Sequence, residues 1–312
     1  PYLEFLLSPK LRVPKHEKMT KQNLWRLNIF LLALTSIFIL IASRMTSEEQ
    51  PQYDWQPTEN VPQIVKGMDL NQEFEFCGEK LPMDNFDIRE RLDRELTVNT
   101  YWHSSTILSI KSTMRFFPVM ERILEEEGVP TDLKYIAVAE SALRNAVSPA
   151  GAKGIWQFMK GTGTEYGLEI NTEVDERYHL EKSTRAAAKY LRSLRQRFGS
   201  WANAAAAYNM GGGNMSKRLR IQEADDYFEL NLNEETTRYC LHLVAIKNIL
   251  ENPRAFGFYL DKEDYYKPLD DYTTEEVNKA VESWGAFAKE RGTNYRLLKV
   301  YNPWLIDTKL TN

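Results

Sequence analysis

The feature that most constrains this fold is the helical spacing of apolar residues, which continues almost without interruption from Asp87 onward. Four segments show the spacing clearly, and each ends near a glycine or proline that stops a helix: Ile107–Glu127, Ser183–Phe198, Trp201–Tyr208 and Glu234–Leu250. We find no sustained alternation of apolar and polar residues of the kind that marks a strand, and no internal repeat. The sequence therefore predicts an all-α fold.

Composition places the chain among the globular proteins. Its 312 residues are 43% hydrophobic and 27% charged, which suits one or two folded domains. The formal net charge of -4 gives no basic signature, so we expect no nucleic-acid partner. Cys77 and Cys240 are too few for a disulfide framework, and the sequence leaves open whether they form one bridge. The four histidines have no metal-type spacing, so we expect no metal and no cofactor.

The N-terminal part predicts a single membrane anchor. Leu27–Ser43 contains 17 residues without a charge, close to the lower limit for a helix that spans a bilayer. Basic residues precede this segment and acidic residues follow it, so the positive-inside rule keeps residues 1–26 in the cytoplasm and exports the remainder. Residues 44–85 then read as a linker or stalk. A cleaved secretory signal is the alternative.

Glu140 is the residue with the most suggestive surroundings. Within Leu133–Leu143, apolar residues occupy both faces of the predicted helix around this acid. Burial disfavours the charged form of a carboxyl group and raises its pKa. A carboxyl group that stays protonated near neutral pH can donate a proton to a leaving group. The alternative is an ordinary helix-interior glutamate that reaches solvent or pairs with Arg144.

Three further motifs follow Glu140-Ser141 in a fixed order. They are Ser148-Pro149-Ala150-Gly151-Ala152-Lys153-Gly154-Ile155-Trp156-Gln157-Phe158-Met159, then Ala206-Ala207-Tyr208-Asn209, and then Glu235-Thr236-Thr237-Arg238-Tyr239. This ordered set, over about residues 130–253, resembles the family-23 lytic transglycosylases. The resemblance implies a lysozyme-like catalytic domain of the goose-type or soluble lytic transglycosylase kind over residues 86–254, with a groove for peptidoglycan glycan strands. It also implies an exported domain that faces the periplasm from the bacterial inner membrane.

The resemblance also assigns site residues. Glu140 matches the catalytic acid, and the matched substrate-binding residues are Ser141, Gly154, Gln157, Phe158, Tyr208, Asn209 and Tyr239. Taken singly, several have plainer roles: Gln157 could satisfy buried backbone, Tyr208 could cap its helix, and Phe158 could only build the pocket wall. Tyr239 could pack against Leu243, one turn further along the helix.

The number of carboxylates in the motifs indicates the reaction. Glycoside hydrolysis normally needs two, whereas the motifs supply only Glu140. Asp175 and Glu176 are candidates for a second, but Arg177 beside them favours a structural salt bridge. The family reaction needs one acid, because the C6 hydroxyl of the sugar closes on C1 to give a 1,6-anhydromuramyl end. A hydrolase similar to goose-type lysozyme and a non-enzymatic wall-binding anchor are the alternatives.

Residues 255–312 look separate from the main domain. Thr273 and Glu276 form a capping box, which predicts a helix that carries Val277, Val281, Trp284 and Ala288 on one face. We expect a small helical appendage that packs on the main domain. A wall-binding accessory module is the alternative.

Overall fold

The computed structural model describes residues 21, 22, 25, 29, 31–36 and 65–311. Residues 31–36 are helical, and the Ser36 hydroxyl donates to the Leu32 carbonyl at 2.8 Å. Among these described residues, no helix has the length and apolar character that crossing a bilayer requires. Most of the predicted anchor Leu27–Ser43 and of the basic segment 1–26 lies outside the described residues.

Helices dominate residues 65–311, as the spacing predicts. A two-residue hairpin comes first, with β1 (Glu75–Phe76) antiparallel to β2 (Glu79–Lys80). Ten α-helices follow: α1 (Phe86–Tyr101), α2 (His103–Glu126), α3 (Lys134–Ser141), α4 (Lys160–Glu165), α5 (Leu180–Phe198), α6 (Trp201–Met210), α7 (Gly212–Gln222), α8 (Glu234–Glu251), α9 (Trp284–Glu290) and α10 (Tyr295–Tyr301). The all-α prediction is confirmed.

Side-chain caps fix where several of these helices begin. Asn85, Ser200 and Asn233 each accept a hydrogen bond from a backbone N–H in the first turn of α1, α6 and α8, respectively. Such a cap satisfies a donor that the helix itself leaves without a partner. At the other end, α5 stops at Gly199, whose φ of 82° is easy for glycine and unfavourable for other residues. The predicted segment Ser183–Phe198 therefore ends at the residue where α5 ends.

The core is built around α6. Its alanines at positions 204–207 are fully buried, and their small side chains let α5, α7 and α8 approach closely. Helix α8 also packs against α1 and α3. Trp156 is fully buried, and its indole N–H donates to the Thr184 hydroxyl at 3.0 Å. Cys77 and Cys240 are both free thiols.

The C-terminal residues form a second small core, and one prediction about them is wrong. The helix expected after Thr273 begins only at Trp284, capped by Ser283. Val281 instead pairs with Leu310, and each backbone N–H donates to the other's carbonyl at 2.8 Å. This long-range pairing holds the chain extended where the local capping signal favoured a helix.

The C-terminal core shares its contacts with the main domain within one compact unit. Val174 joins Val281, Trp284 and Leu305 in a buried cluster. The Asp175 N–H donates to the Trp304 carbonyl at 2.9 Å, and the Trp304 ring stacks on His179 at 5.7 Å between centroids. Residues from the C-terminal part of the chain therefore hold the segment that follows Val174 in place.

Candidate active site

The short helix α3 presents Glu140 at its last turn. Burial of Leu133, Ile136 and Ala137 on the core face fixes the helix, and Glu140 on its outer end is half-buried. The chain then turns sharply through Ala142 and Leu143, with φ of 50° and 59°. Left-handed conformations of such residues are strained, and strain of this kind clusters at functional sites.

A tyrosine from α8 holds the Glu140 carboxylate. The Tyr239 hydroxyl donates to Glu140 Oε1 at 2.6 Å. The alternative ion pair with Arg144 is absent from the contacts of residues 65–311, where Arg144 Nε instead donates to the Ser141 carbonyl at 3.4 Å. Tyr239 is buried, so its hydroxyl has a fixed position and fixes the carboxylate in turn.

Burial gives Glu140 the pKa of a general acid. Desolvation raises the pKa of this carboxyl group from 4.5 to about 7, although the hydrogen bond from Tyr239 opposes the rise. The negative charge of Glu235 raises the pKa further. Near neutral pH the site therefore holds both the protonated and the ionised form in comparable amounts. Such a group can give a proton and later take one back.

Two cavities share a wall that contains Glu140, Ala139 and His242. The first, which we call the α1–α2 cavity, has a volume of about 290 Å³, and its other residues include Asn99, Trp102, Thr106 and Arg144. The second, which we call the α8 cavity, has a volume of about 600 Å³ and is lined also by Asn209, Glu234, Glu235, Arg238 and Tyr239. Glu140 therefore lies on the wall that the two cavities share.

The end of α6 is tied to the beginning of α8. Asn209 Nδ2 donates to Glu235 Oε1 at 3.1 Å, and Asn209 Oδ1 accepts from the Thr236 hydroxyl at 2.8 Å. Tyr208, the preceding residue, donates to the Trp156 carbonyl at 2.6 Å. Burial first, and then the charge of Glu140, raise the pKa of the Tyr208 phenol, so it stays neutral beside the acid.

The loop that carries the second motif is shaped by Gly154 and Gln157. Gly154 has a φ of +81°, and a Cβ at this position would lie 1.9 Å from the Arg177 carbonyl oxygen. Only glycine fits there. Gln157 also has a positive φ, of 50°, and its Nε2 donates to the Gly154 carbonyl at 2.7 Å and the Ala146 carbonyl at 3.1 Å. Both residues therefore maintain the loop.

The eight predicted site residues divide into two groups. Glu140, Ser141, Asn209 and Tyr239 line one or both cavities. Gly154, Gln157, Phe158 and Tyr208 line neither cavity and form the support behind them. Phe158 is buried and packs edge-on against Tyr208 at 6.2 Å between centroids. Ser141 is also mostly structural, because its hydroxyl donates to the Ile155 carbonyl at 2.8 Å and so ties α3 to the loop.

Asp175 belongs to a buried ion pair. Its two carboxylate oxygens accept from Arg177 Nε at 2.8 Å and Arg177 Nη2 at 2.7 Å. Arg177 Nη1 also donates to the Phe158 carbonyl at 3.1 Å, so the pair supports the same loop. Glu176 pairs with Lys182, and neither acid lines the two cavities beside Glu140. The predicted salt bridge is confirmed.

Comparison with known proteins identifies the domain that carries this site. Residues 118–231 match the Transglycosylase SLT domain. The chain thus contains an SLT domain. Residues 273–312 match a second model, the soluble lytic transglycosylase C-terminal LysM-like domain. The SLT match includes Glu140 and Asn209, whereas Tyr239 lies just beyond it.

Similar proteins carry the same kind of name. The chain is 32% identical over 206 residues to membrane-bound lytic murein transglycosylase D of Escherichia coli K12. The matched residues make up 62% of this chain and 44% of that protein. The chain therefore spans less than half the length of that relative. Among solved structures, the 70-kDa soluble lytic transglycosylase of Escherichia coli is 23% identical, with 44% of this chain and 24% of that chain covered and a TM-score of 0.38. The lytic transglycosylase Slt of Pseudomonas aeruginosa, solved as an inactive mutant, is also 23% identical, with 50% and 26% covered and a TM-score of 0.38.

The sequence did not predict several residues that line the cavities beside Glu140. Glu235 and His242 stand four residues before and three residues after Tyr239, which places all three on one face of α8. That helical spacing is a signal that could have found them. Trp102 has no such signal, because it lies between α1 and α2 and reaches the cavity only through the tertiary fold.

Proposed function

We propose that this chain is a lytic transglycosylase that cleaves the β-1,4 bond between N-acetylmuramic acid and N-acetylglucosamine in peptidoglycan. The observation that carries the proposal is the Glu140 carboxyl group, which has a pKa of about 7 and lies on the wall shared by two cavities. The SLT domain and the name of the Escherichia coli relative support the reaction class. An acid whose pKa lies near the working pH is well suited to proton transfer in both directions.

The reaction uses Glu140 twice. Glu140 donates its proton to the glycosidic oxygen, and the bond from that oxygen to C1 of N-acetylmuramic acid breaks. The carbonyl oxygen of the sugar's own N-acetyl group stabilises the positive charge that develops at C1. The Glu140 carboxylate then takes the proton of the C6 hydroxyl while that oxygen bonds to C1. The products are a 1,6-anhydromuramyl end and a free N-acetylglucosamine end, and no water is consumed.

The neighbouring side chains position these groups. Tyr239 keeps Glu140 Oε1 in place through its 2.6 Å hydrogen bond. Asn209 keeps the beginning of α8, and with it Tyr239, in register with α6. Tyr208, Gln157 and the Asp175–Arg177 pair act behind the cavity walls, so their contribution is to hold the site rather than to touch the sugar.

A hydrolase similar to goose-type lysozyme is the second candidate, and one observation favours it. Glu235 lines the α8 cavity together with Glu140, is exposed, and is oriented by Asn209. A second carboxylate in this place could activate water. The two candidates give different product ends. Hydrolysis leaves a reducing end, whereas transglycosylation leaves an anhydro end whose mass is lower by one water molecule.

The test is a digest of purified peptidoglycan sacculi with the full chain, followed by mass spectrometry of the released fragments. We expect anhydro ends with the unaltered protein and no fragments with Glu140→Gln. Reducing ends would establish the hydrolase instead. Binding to sacculi without any fragments would support a non-enzymatic wall-binding anchor and overturn both enzymatic candidates.

The rest of the chain suits a protein held at the cell wall. We propose that the LysM-like residues 273–312 add contacts to peptidoglycan. We also propose that Leu27–Ser43 anchors the chain in the bacterial inner membrane, with the SLT domain in the periplasm. The name of the Escherichia coli relative, which calls that protein membrane-bound, supports this placement.

A further inference from the structure

Trp102 has an exposure that core packing does not explain. Its side chain is 60% exposed, although an indole is among the most costly side chains to leave in water. It belongs to none of the hydrophobic clusters in the described part of the chain. It lies at the junction of α1 and α2, where its backbone N–H donates to the Val98 carbonyl and fixes its place.

Trp102 forms part of the wall of the α1–α2 cavity, which also contains the acid. The cavity of about 290 Å³ combines this aromatic surface with hydroxyl and amide groups from Asn99, Ser105, Thr106 and Ser109. An aromatic face and polar groups in one cavity suit a sugar ring, which has C–H groups on its faces and hydroxyls on its edge. The volume lies near the lower end of the range for ligand pockets, roughly 300 Å³.

His242 supplies a directed polar group to the same cavity. Its Nδ1 lies 3.2 Å from Glu95 Oε2 and 3.0 Å from Asn99 Nδ2, so that edge of the ring is occupied. Glu95 is buried, and although burial alone would raise its pKa, hydrogen bonds from His242 and Arg238 lower it, so this carboxylate stays charged and anchors the ring. The other nitrogen, Nε2, has no hydrogen bond within residues 65–311 and remains for a ligand.

We propose that Trp102 is a sugar-binding platform. A ring of the glycan next to the cleaved bond lies in the α1–α2 cavity, with its apolar face on the indole and a polar substituent hydrogen-bonded to His242 Nε2. Because Glu140 lines both this cavity and the α8 cavity, the strand crosses the acid from one to the other. Trp102 is a positioning residue in this arrangement, and the inference rests on the proposed glycan substrate.

The test measures binding and cleavage separately. Binding of a tetrasaccharide of alternating N-acetylglucosamine and N-acetylmuramic acid is measured by calorimetry in full-length protein that carries Glu140→Gln. Trp102→Ala should weaken binding roughly tenfold, the equivalent of about 1.4 kcal/mol, and Trp102→Phe should recover most of the loss. Phe86→Ala is the matched control, because Phe86 is a 74% exposed aromatic residue that lines neither cavity.

Two further readouts distinguish a sugar contact from a structural role. Ligand binding should change the tryptophan fluorescence of the Glu140→Gln protein, and Trp102→Phe should remove that change. In the active protein, Trp102→Ala should raise KM with kcat little altered, because the contact is equally strong before and during the reaction. Unchanged affinity in Trp102→Ala would overturn the platform, whatever the fluorescence response.

The outcomes separate this inference from the proposed function. If the unaltered chain releases no fragments from sacculi but Trp102→Ala still weakens tetrasaccharide binding, the catalytic proposal fails and the platform stands. If the chain releases anhydro ends and Trp102→Ala binds the tetrasaccharide as tightly as the control, the platform alone fails. His242→Ala should weaken binding as well, and His242→Gln, which retains a hydrogen-bonding group, should restore part of it.

Discussion

At the scale of single residues, Glu140 shows how one buried acid serves chemistry at the expense of stability. Its pKa of about 7 in the folded protein compares with 4.5 for the free group. Desolvation is the main cause, and it arises from the same apolar packing that fixes α3. The proton that the proposed reaction needs is therefore available because the fold disfavours the ionised form.

The first prediction concerns pH. Because Glu140 acts first as an acid, kcat/KM should fall as pH rises through about 7, the pKa of its carboxyl group. Tyr239→Phe removes the hydrogen bond that lowers this pKa, so the descending limb should move to higher pH. Glu235→Gln removes a charge that raises it, so the limb should move to lower pH. A Glu235→Gln protein with activity lost at every pH would instead identify Glu235 as a second catalytic carboxylate.

The second prediction concerns Glu140→Gln. The amide cannot deliver a proton, so activity should fall at least roughly a hundredfold while sugar binding persists. The folded protein binds the Glu140 proton more tightly than the unfolded chain does. The unfolding free energy therefore decreases as pH rises from 4.5 to about 7. The amide avoids this loss, and its unfolding free energy should exceed that of the unaltered protein by roughly 3 kcal/mol at pH 8.

The control for this prediction is the same comparison at acid pH. Denaturant unfolding of both proteins at pH 4 should give nearly equal unfolding free energies, because Glu140 is then protonated in both states. A stability gain of the same size at pH 4 and pH 8 would mean that ionisation of Glu140 does not destabilise the fold.

At the scale of elements, the loop between α3 and α4 depends on contacts from a distant part of the chain. Gly151 and Gly154 both have positive φ, of 88° and 81°, but only Gly154 faces the Arg177 carbonyl. The same substitution at the two positions therefore separates backbone strain from steric exclusion.

The third prediction uses this pair. Gly151→Ala should cost only the strain of a left-handed alanine, about 1–2 kcal/mol. Gly154→Ala adds a Cβ that would lie 1.9 Å from a backbone oxygen, so the loop must move, and the loss should reach at least roughly 3 kcal/mol. Chemical denaturation measures both. Equal losses at the two positions would contradict the close approach of the loop to Arg177.

The fourth prediction concerns the ion pair behind that loop. Asp175→Asn leaves the buried Arg177 without its charge partner, so the unfolding free energy should fall by about 3–5 kcal/mol. Glu176→Gln should cost less, because its partner Lys182 is largely exposed. In neither variant should the product change from anhydro to reducing ends, as mass spectrometry will show. A changed product would mean that the acid takes part in the reaction.

At the scale of the whole molecule, the orientation of the proposed anchor decides whether the proposed active site can meet peptidoglycan. If Leu27–Ser43 spans the inner membrane with residues 1–26 inside, protease added to spheroplasts should digest the region that follows Glu48. An immunoblot against the C-terminal residues provides the measurement, and a cytoplasmic protein provides the control for leakage. Protection of the region that follows Glu48 in intact spheroplasts would mean that this region lies in the cytoplasm. It could then not reach peptidoglycan, and the proposed substrate would be excluded.

The sequence by itself determined the features that depend on short stretches of chain. Helical spacing and stops such as Gly199 are local, because a helix bonds each residue to one only four positions away. The position of Glu140 among apolar neighbours and the bridge from Asp175 to Arg177 are equally local. These predictions agree with the structure to within a few residues.

Only the tertiary structure decided what each side chain contacts. Gln157 turns to backbone carbonyls, and the extended pairing of Val281 with Leu310 replaces a helix that the local residues favoured. Trp102 and His242 lie more than a hundred residues apart in the chain and meet only where α1, α2 and α8 pack around one cavity. A cavity wall is the product of packing between distant segments, and no local pattern in the sequence encodes it.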